Sequence, residues 1–451
     1  MSPADTTSAA PAEKLGRRAM RGSLYEIASF GAGNAIRLLG NLVLTRLLFP
    51  EAFGAMAILA IFNQGLVMLS DVGISPGVVQ SPDGDDPLFL DTAWTMHVVR
   101  GSLLFVLAAV LAWPVAWLYE VPSLWPLLVV GSSTVLLASL ESTSMMTLLR
   151  RVDSRRIMVV ELSSQVFGLL VTIAGAYWFR SVWALVLGGV AGTALKTAMS
   201  HFFVNVGYRN RLRWSREAAD SIVRFGKWIF LSSAVTFFAQ QIDRIFLGKF
   251  FGLAELGIYT VAATFADLGS LVVTRLTHQI LFPSFSKVYR DDPSRLKRAY
   301  YKARLALDGL TLPGAGVLFA LAPWLIALLY DSRYAQAGWM LQILVVRVIF
   351  TAIVVPCETC LFSMGKSHYG FVKSMCRLAW MLVALPLGYH WGGIRGLVWA
   401  TALSELPALL VLLPVFAREK LLDWRRELVA PVLFATVALA ALGVGQLLAR
   451  L

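Results

Sequence analysis

The sequence predicts an all-α polytopic membrane protein, built from two pseudo-symmetric six-helix lobes and an additional thirteenth helix. Three observations predict this class. The 451 residues are 57% hydrophobic and 15% charged, which is too apolar for a soluble protein of this length. Apolar segments long enough to cross a bilayer recur along the whole chain, and a pattern that begins at residue 46 returns at residue 249.

The apolar segments give the order of the helices. A helix needs about 20 apolar residues to cross the hydrocarbon core of a bilayer. Thirteen such segments lie near residues 24–47, 53–74, 93–118, 124–148, 157–178, 182–205, 222–247, 254–281, 304–330, 336–363, 369–390, 394–416 and 429–449. The connection at 75–92 carries four aspartates and no basic residue, and we expect a short surface helix there.

Basic residues in the connecting loops predict the orientation. With the N terminus in the cytoplasm, the cytoplasmic loops carry about four times as many Lys and Arg residues as the opposite loops. This excess follows the positive-inside rule, so we expect a cytoplasmic N terminus. Five basic residues lie within or at the ends of spans instead: Arg37, Arg100, Lys196, Arg275 and Arg347.

A repeated pattern predicts two related halves. The order basic, bulky, bulky, short turn, bulky, glycine occurs at residues 46–54 and again at 249–257. A later pair of matching segments, 182–186 and 394–398, keeps a similar offset. Six spans in each half is an even number, so both halves enter the membrane from the same side. They should be related by an axis along the membrane normal.

These features divide the chain into five parts. We predict a cytoplasmic N-terminal tail at 1–22, an N-lobe with helices 1–6 at 23–207, a cytoplasmic linker at 208–224, a C-lobe with helices 7–12 at 225–417, and a C-terminal segment with an additional helix at 418–451. The first apolar run is too long for a signal peptide and lacks a small-residue cleavage site. We therefore expect it to remain as the first span.

The charges and motifs argue against several other functions. The net charge of +13 comes from short loops between apolar runs, so we expect no nucleic-acid partner. The sequence has no phosphate-binding glycine loop with its lysine, no His-Glu-x-x-His and no nucleophile elbow, so we expect no enzymatic activity. Scattered histidines, and cysteines inside an apolar helix, predict no metal site.

Several short motifs resemble those of a known family. They are LLFPEAFGA at 47–55, LSDVGI at 69–74, VQ at 79–80, VWALV at 182–186 and LAELGIY at 253–259. Together they resemble the polysaccharide-transporter (oligosaccharide flippase) group of the MOP flippase superfamily, whose drug-exporting branch is the MATE group. The usual core of that group is twelve helices in two lobes of six, so the thirteenth span is an addition.

The resemblance implies transport in the bacterial inner membrane. Members of this group move an undecaprenyl-pyrophosphate-linked oligosaccharide to the outer face of that membrane, for exopolysaccharide, capsule or lipopolysaccharide O-antigen synthesis. We expect alternating access, no cofactor, and H⁺ or Na⁺ as candidate coupling ions. The expected partners are the lipid bilayer, the lipid-linked oligosaccharide, and a polymerase or other polysaccharide-assembly proteins.

Two alternatives stay open on the sequence. A MATE-like cation-coupled drug exporter would need an acidic cavity for its cationic cargo, whereas arginines predominate within the spans. A membrane polysaccharide polymerase or ligase generally places a large outer loop over its site, whereas the predicted outer loops are short.

Arginines within the spans are the candidate substrate-binding residues. Each arginine near a span centre costs roughly 2.5–3.5 kcal/mol on insertion scales and so calls for a partner, an aqueous cavity or snorkelling. We predict that Arg37, Arg347 and Arg275 face a water-accessible, cationic chamber and hold the pyrophosphate or acidic sugars. The alternatives are a structural pair with an acid on a neighbouring helix for Arg37 and Arg347, and snorkelling for Arg275.

Carboxylates within the spans are the candidates for ion coupling. Glu358, Glu141 and Asp267 could carry a coupling proton or ligate sodium. Glu358 follows Pro356, whose missing backbone donor is expected to loosen the helix. The alternative for each acid is an ion pair with one of the arginines.

Three further acids lie within or at the ends of spans, namely Asp71, Asp243 and Glu405. Each is interpreted as a structural partner of a basic residue in the same way. Asp243 stands directly before Arg244, and the sequence predicts a local pair between them at the membrane interface.

Overall fold

The computed structural model describes the backbone of residues 12–70, 73–151, 153–204 and 208–448, and their side chains except at 12–24, 26–27, 80, 221–232 and 444–448. Two compact units divide the chain, one of Met1–Leu48 with Phe62–Leu231 and one of Phe49–Ile61 with Ser232–Leu451. The predicted lobe boundaries stay a prediction. Asp71 and the first eleven residues of the predicted tail lie outside the described residues.

Eight helices occupy the described chain up to residue 204. They are α1 (Ala12–Leu47), α2 (Pro50–Met68), α3 (Ile74–Gln80), α4 (Pro87–Leu118), α5 (Leu124–Ser139), α6 (Ser144–Arg150), α7 (Ser154–Phe179) and α8 (Trp183–Phe202). The short helix α3 confirms a helix in the connection between the second and third spans, while its predicted position at the membrane surface stays a prediction. Within the first unit, α7 packs against α1 and α8, and α5 packs against α4 and α8.

Nine helices follow in the described residues. They are α9 (Arg216–Leu276), α10 (Phe282–Asp291), α11 (Leu296–Leu329), α12 (Ala337–Val345), α13 (Arg347–Ser363), α14 (His368–Ala402), α15 (Leu406–Arg418), α16 (Trp424–Glu427) and α17 (Val429–Leu448). In the second unit, α11 packs against α12 and α17, and α15 packs against α13 and α14.

Two long helices, α9 and α14, are interrupted where the sequence predicts loops between spans. The break in α9 lies at Gly252, with φ 83°, and the break in α14 lies at Gly393, with φ 54°. Positive φ angles strain residues that carry a Cβ, and glycine adopts them freely. Each break therefore lies between two predicted spans.

The helices fit the predicted membrane architecture. Eight helices of the described residues are long and apolar enough to cross a bilayer, or nine if α5 and α6, bent by 61°, form one span. With α5 and α6 counted as one span, these nine include eleven of the thirteen predicted spans, because the helical stretches Ser233–Asp291 and His368–Arg418 hold two spans each. The remaining two predicted spans correspond to α1 and α8. The all-α polytopic prediction is confirmed.

Large apolar side chains remain exposed along the spanning helices. On α4, Leu103 and Val110 are each 65% exposed and Trp117 is 72% exposed. These residues are seven positions apart, which is about two turns, so they lie on one face of the helix. Such a face is stable in lipid rather than in water.

The two copies of the repeated pattern meet within the second unit. A Cβ at Gly54 would lie 1.9 Å from the carbonyl oxygen of Leu253, and a Cβ at Gly257 would lie 2.0 Å from the carbonyl oxygen of Pro50. The backbones of α2 and α9 therefore touch, and only glycine fits at both crossing points. The sequence predicts the duplication but gives no sign that the copies pack together.

Candidate functional site

A polar cavity of about 630 Å³ opens among α9, α13 and α14 of the second unit. Its lining includes eight charged residues: Asp243, Arg244, Asp267, Arg347, Glu358, Lys373, Arg377 and Glu405. Charged side chains on membrane-spanning helices are costly unless they are paired or hydrated. The pairing of these eight therefore determines what the cavity can bind.

Asp267 joins two arginines. Its Oδ2 accepts a hydrogen bond from Arg244 Nη2 at 3.0 Å, and its Oδ1 accepts one from Arg347 Nη2. Arg347 is 8% exposed, whereas the side chain of Asp267 is 42% exposed. Asp267 thus faces the cavity while it neutralises a buried guanidinium, which lowers the cost of burying that charge.

The helix that carries Arg347 continues directly from α12. Val346, between α12 and α13, has helical backbone angles, with φ −55° and ψ −31°, and Ala337–Ser363 forms one span. Pro356 lies inside α13, which continues through it to Ser363. The structure therefore shows no break in this span at Val346, and the helix also continues through the proline before Glu358.

Asp243 is held by a tyrosine. The Tyr259 hydroxyl donates to Asp243 Oδ2 at 2.5 Å, and Arg244 donates to Asp267 and to Gln241. These contacts replace the predicted local pair of Asp243 and Arg244. Asp243 Oδ1 and Arg244 Nε are buried and have no hydrogen-bond partner among the described residues. Both atoms belong to residues of the cavity wall.

Two cations on α14 neutralise buried carboxylates from other helices. Lys373 Nζ donates to Glu358, and Arg377 Nη1 donates to Glu405 Oε1 at 2.9 Å. Lys373 and Arg377 are four residues apart and so lie on one face of α14. Glu358 and Glu405 are 5% and 6% exposed, respectively. A buried carboxylate needs such a partner to stay ionised.

The charges of the cavity lining balance. Four basic and four acidic side chains line it, together with His278 and several hydroxyl and amide groups. The cavity therefore carries no formal excess of positive charge when these groups are ionised. Among the described residues, Arg377 Nε and Glu405 Oε2 also lack hydrogen-bond partners. A hydroxyl-rich ligand, which both donates and accepts hydrogen bonds, matches such a mixture of donors and acceptors.

The structure brings three of the six candidate residues into this cavity, namely Arg347, Asp267 and Glu358. Arg275 is exposed on α9 and is not part of the cavity lining.

The other two candidates lie in the first unit. Arg37 is exposed on α1, and Glu141 forms an ion pair with Lys196 at 3.4 Å. The roles assigned to all six candidate residues stay predictions.

Sequence reasoning missed three cations of the cavity. The sequence pattern places Arg244 in a local pair at the membrane interface, and Lys373 and Arg377 are not among the five basic residues that it places within or at the ends of spans. A signal was present, because Lys373 and Arg377 stand one helical turn apart within a predicted span. Two cations at that spacing inside an apolar segment indicate a polar face with acidic partners.

Comparison with known proteins identifies the family. The family described as "Polysaccharide biosynthesis protein" matches residues 43–339, which is more than half of the chain. The chain belongs to this family. Its membership agrees with the resemblance seen in the sequence motifs.

Two relatives show how far the similarity extends. The lipopolysaccharide biosynthesis protein WzxC of Escherichia coli (strain K12) is 21% identical over 364 residues, covering 81% of this chain and 74% of WzxC. The succinoglycan biosynthesis transport protein ExoT of Rhizobium meliloti (strain 1021) is 26% identical over 318 residues, covering 70% of this chain and 63% of ExoT.

Solved structures share the fold of this family member. The lipid II flippase MurJ in an inward closed conformation aligns with a TM-score of 0.74 at 13% identity, over 93% of this chain and 90% of MurJ. An inward-facing multidrug resistance MATE transporter of the MOP superfamily aligns with a TM-score of 0.68 at 16% identity, over 86% of this chain and 94% of that chain. At these identities the likeness establishes the fold alone, which this chain shares with MurJ and with the MATE transporter.

Proposed function

We propose that this protein translocates an undecaprenyl-pyrophosphate-linked oligosaccharide across the bacterial inner membrane by alternating access. The product would supply exopolysaccharide, capsule or O-antigen synthesis. The N terminus would lie in the cytoplasm, as the distribution of basic residues predicts. The protein would act as a transporter and not as an enzyme.

One observation carries this proposal. The family of this chain and the relatives WzxC and ExoT are all described by polysaccharide biosynthesis or transport. The chain also shares its fold with a lipid flippase. Homologous membrane proteins with this fold change their cargo by changing cavity residues rather than helices. The sugar-related class of the relatives therefore favours a sugar-bearing cargo over a drug.

The charge-balanced cavity of the second unit supports recognition of the glycan. Its ion pairs hold Arg347 and Arg377 in place, and its unused donors and acceptors suit sugar hydroxyls. The arginines Arg37 and Arg275 stay candidates for contact with the pyrophosphate. Glu358 and Asp267 stay candidates for coupling to H⁺ or Na⁺.

Polymer synthesis in cells tests the proposal. In cells that lack the protein, we expect lipid-linked oligosaccharide to accumulate on the cytoplasmic face and surface polymer to disappear. Loss of a polymerase would instead leave single repeat units at the outer surface, so labelling of exposed sugars distinguishes the two. Outer-face repeat units without polymer, or normal polymer with increased drug sensitivity, would overturn the proposal.

Variants of the cavity test its part in transport. Charged hydrogen bonds contribute about 1.5–3 kcal/mol each, so we expect Arg377→Ala to lower polymer output by roughly tenfold or more at equal protein level. Arg418→Ala removes an exposed arginine at the end of α15, outside the cavity, and is the matched control. Equal output from both variants would contradict a role for the cavity.

A further inference from the structure

A second cavity, of about 390 Å³, lies in the second unit where α11, α16 and α17 meet. Its described lining carries four cations, Arg298, Lys302, Arg304 and Arg426, against one acid, Asp308. It shares no lining residue with the charge-balanced cavity. The proposed transport site therefore does not explain why these cations converge.

The position of this cavity along α11 places it at headgroup depth. With 34 residues, α11 is roughly 50 Å long, whereas the hydrocarbon core is about 30 Å thick. Residues 309–329 contain no charged side chain and are long enough to fill that core. The cations at 298, 302 and 304 precede this stretch, so they lie where the helix leaves the core.

Neighbouring exposed side chains fit the same depth. Trp424, on α16, is 65% exposed, and tryptophan is enriched where the hydrocarbon meets the headgroups. Leu305 and Leu428 are 61% and 62% exposed beside the cavity lining. A cationic cavity thus adjoins an apolar surface, as an amphiphilic ligand requires.

Arg304 gives the cavity an unfilled donor. Its side chain is 2% exposed, Nη1 donates to Glu427 Oε2 at 2.5 Å, and Nε lies 3.4 Å from Asp308 Oδ2. Arg304 Nη2 and Asp308 Oδ1 are buried and have no hydrogen-bond partner among the described residues. Leaving such groups unsatisfied is costly. A ligand that offers one acceptor and one donor would satisfy both.

Glu427 is already occupied and cannot serve a ligand in the same way. Its Oε1 accepts from the Tyr301 hydroxyl at 2.9 Å, while its Oε2 accepts from Arg304. Arg426 lies over the Tyr301 ring, 5.3 Å from its centroid, and pairs with Asp423 at 3.3 Å. The Tyr301 ring and the acids thus hold Arg304 and Arg426 in fixed positions.

We propose that this cavity binds the headgroup of an anionic glycerophospholipid of the phosphatidylglycerol type. The phosphodiester oxygens would accept from Arg304 Nη2 and from the exposed cations, and a glycerol hydroxyl would donate to Asp308. Arg304 and Arg426 already have acid partners. Arg298 and Lys302 form no ion pair among the described residues, and their positive charge selects an anionic headgroup over a zwitterionic one. The acyl chains would lie in the bilayer beside Leu305 and Leu428.

Lipid titration of the purified full-length protein tests this site. The protein is titrated in detergent with dihexanoyl phosphatidylglycerol, dihexanoyl phosphatidylethanolamine or inorganic phosphate, and bound ligand is counted by native mass spectrometry. Each basic residue near a headgroup contributes to binding, so replacing Arg298, Lys302 and Arg426 together with Ala should weaken phosphatidylglycerol binding on the order of 10- to 100-fold. These side chains are exposed, so the fold should survive.

A second triple variant is the matched control. Lys287, Arg290 and Arg425 are exposed basic residues on α10 and α16 that do not line the cavity, and they are replaced with Ala together. This variant loses the same net charge and should bind phosphatidylglycerol as the unmodified protein does.

Three outcomes would overturn the proposal. Equal losses in both triple variants would mean diffuse electrostatic attraction without a site. Binding of inorganic phosphate as tight as that of phosphatidylglycerol would assign the cavity to a free anion. Equal affinity for phosphatidylethanolamine would show that the charge of the headgroup does not determine binding. Binding is measured without transport, so none of these outcomes depends on the proposed function.

Discussion

Asp267 and Arg347, 80 positions apart in the chain, form an ion pair in the charge-balanced cavity, and Asp267 also accepts a hydrogen bond from Arg244 at 3.0 Å. One carboxylate thereby bridges two guanidiniums, Arg244 on α9 and Arg347 on α13. Arg347 lines a cavity and has an acid partner on a neighbouring helix. The structure therefore shows the position and the acid partner of Arg347, while its role in binding substrate stays a prediction.

We expect Asp267→Ala to destabilise the protein more than Arg347→Ala. The first change leaves two arginines without their carboxylate, whereas the second leaves Asp267 bound to Arg244. Breaking a buried pair costs roughly 3–5 kcal/mol, and the partial exposure of Asp267 should reduce this to about 2–4 kcal/mol. Thermal unfolding of the purified protein in detergent gives the order of the two variants.

The double variant, Asp267→Ala with Arg347→Ala, measures the interaction energy between the two side chains. Its cost should be smaller than the sum of the single costs by about 0.5–3 kcal/mol, because the second change removes a charge that the first left unpaired. Strictly additive costs would show that Asp267 and Arg347 do not interact.

Lys373→Met should destabilise the protein by roughly 3–5 kcal/mol, because it leaves the buried carboxylate of Glu358 without its cation. Lys366→Met is the control. Lys366 pairs with Glu419, and these side chains are 33% and 27% exposed, so this change should cost less than about 1 kcal/mol. Similar unfolding temperatures for the two variants would contradict the assigned burial of Glu358.

Gly54→Ala and Gly257→Ala should each destabilise the second unit. The added methyl group would overlap a backbone carbonyl at 1.9 or 2.0 Å, which the touching helices cannot relieve by moving a side chain. Overpacking costs about 1–3 kcal/mol or more. Gly314→Ala meets nothing within 4 Å and should be neutral or stabilising, by up to about 1 kcal/mol. Unfolding midpoints that do not separate these positions would argue against the helix contact.

Tyr301→Phe should lower the free energy of unfolding by about 1–3 kcal/mol. The hydroxyl donates to the buried Glu427 at 2.9 Å and accepts from the Asp423 backbone N–H at 2.8 Å, so its removal leaves both unsatisfied. Tyr289→Phe, on α10, removes a hydroxyl that makes no hydrogen bond with the described residues, and it should change little. Comparable losses for the two tyrosines would contradict this account.

Most of the helices could be predicted because hydropathy is a local property. The cost of exposing a polar backbone or side chain to lipid is set segment by segment, so each apolar run of sufficient length identifies a span. The breaks at Gly252 and Gly393 were also foreseeable, since short polar or glycine-containing interruptions separate the predicted spans there.

The candidate site was only partly predictable. Arg347, Asp267 and Glu358 stand out because a charge inside an apolar segment is costly. Arg244, Lys373 and Arg377 lie nearer the ends of segments, where a basic residue has the simpler explanation of topology. Nothing local distinguishes a cation that anchors a helix end from one that faces a buried acid on another helix.

The sequence by itself determined that this protein lies in a membrane, the order of its spans, the repeated pattern of its two halves and its family. Each of these follows from the composition or spacing of neighbouring residues. Only the tertiary structure decided which acid meets which base, and that the cavity of the second unit is charge-balanced. The reason is that ion pairing depends on the packing and rotation of helices distant in the chain, which no local pattern records.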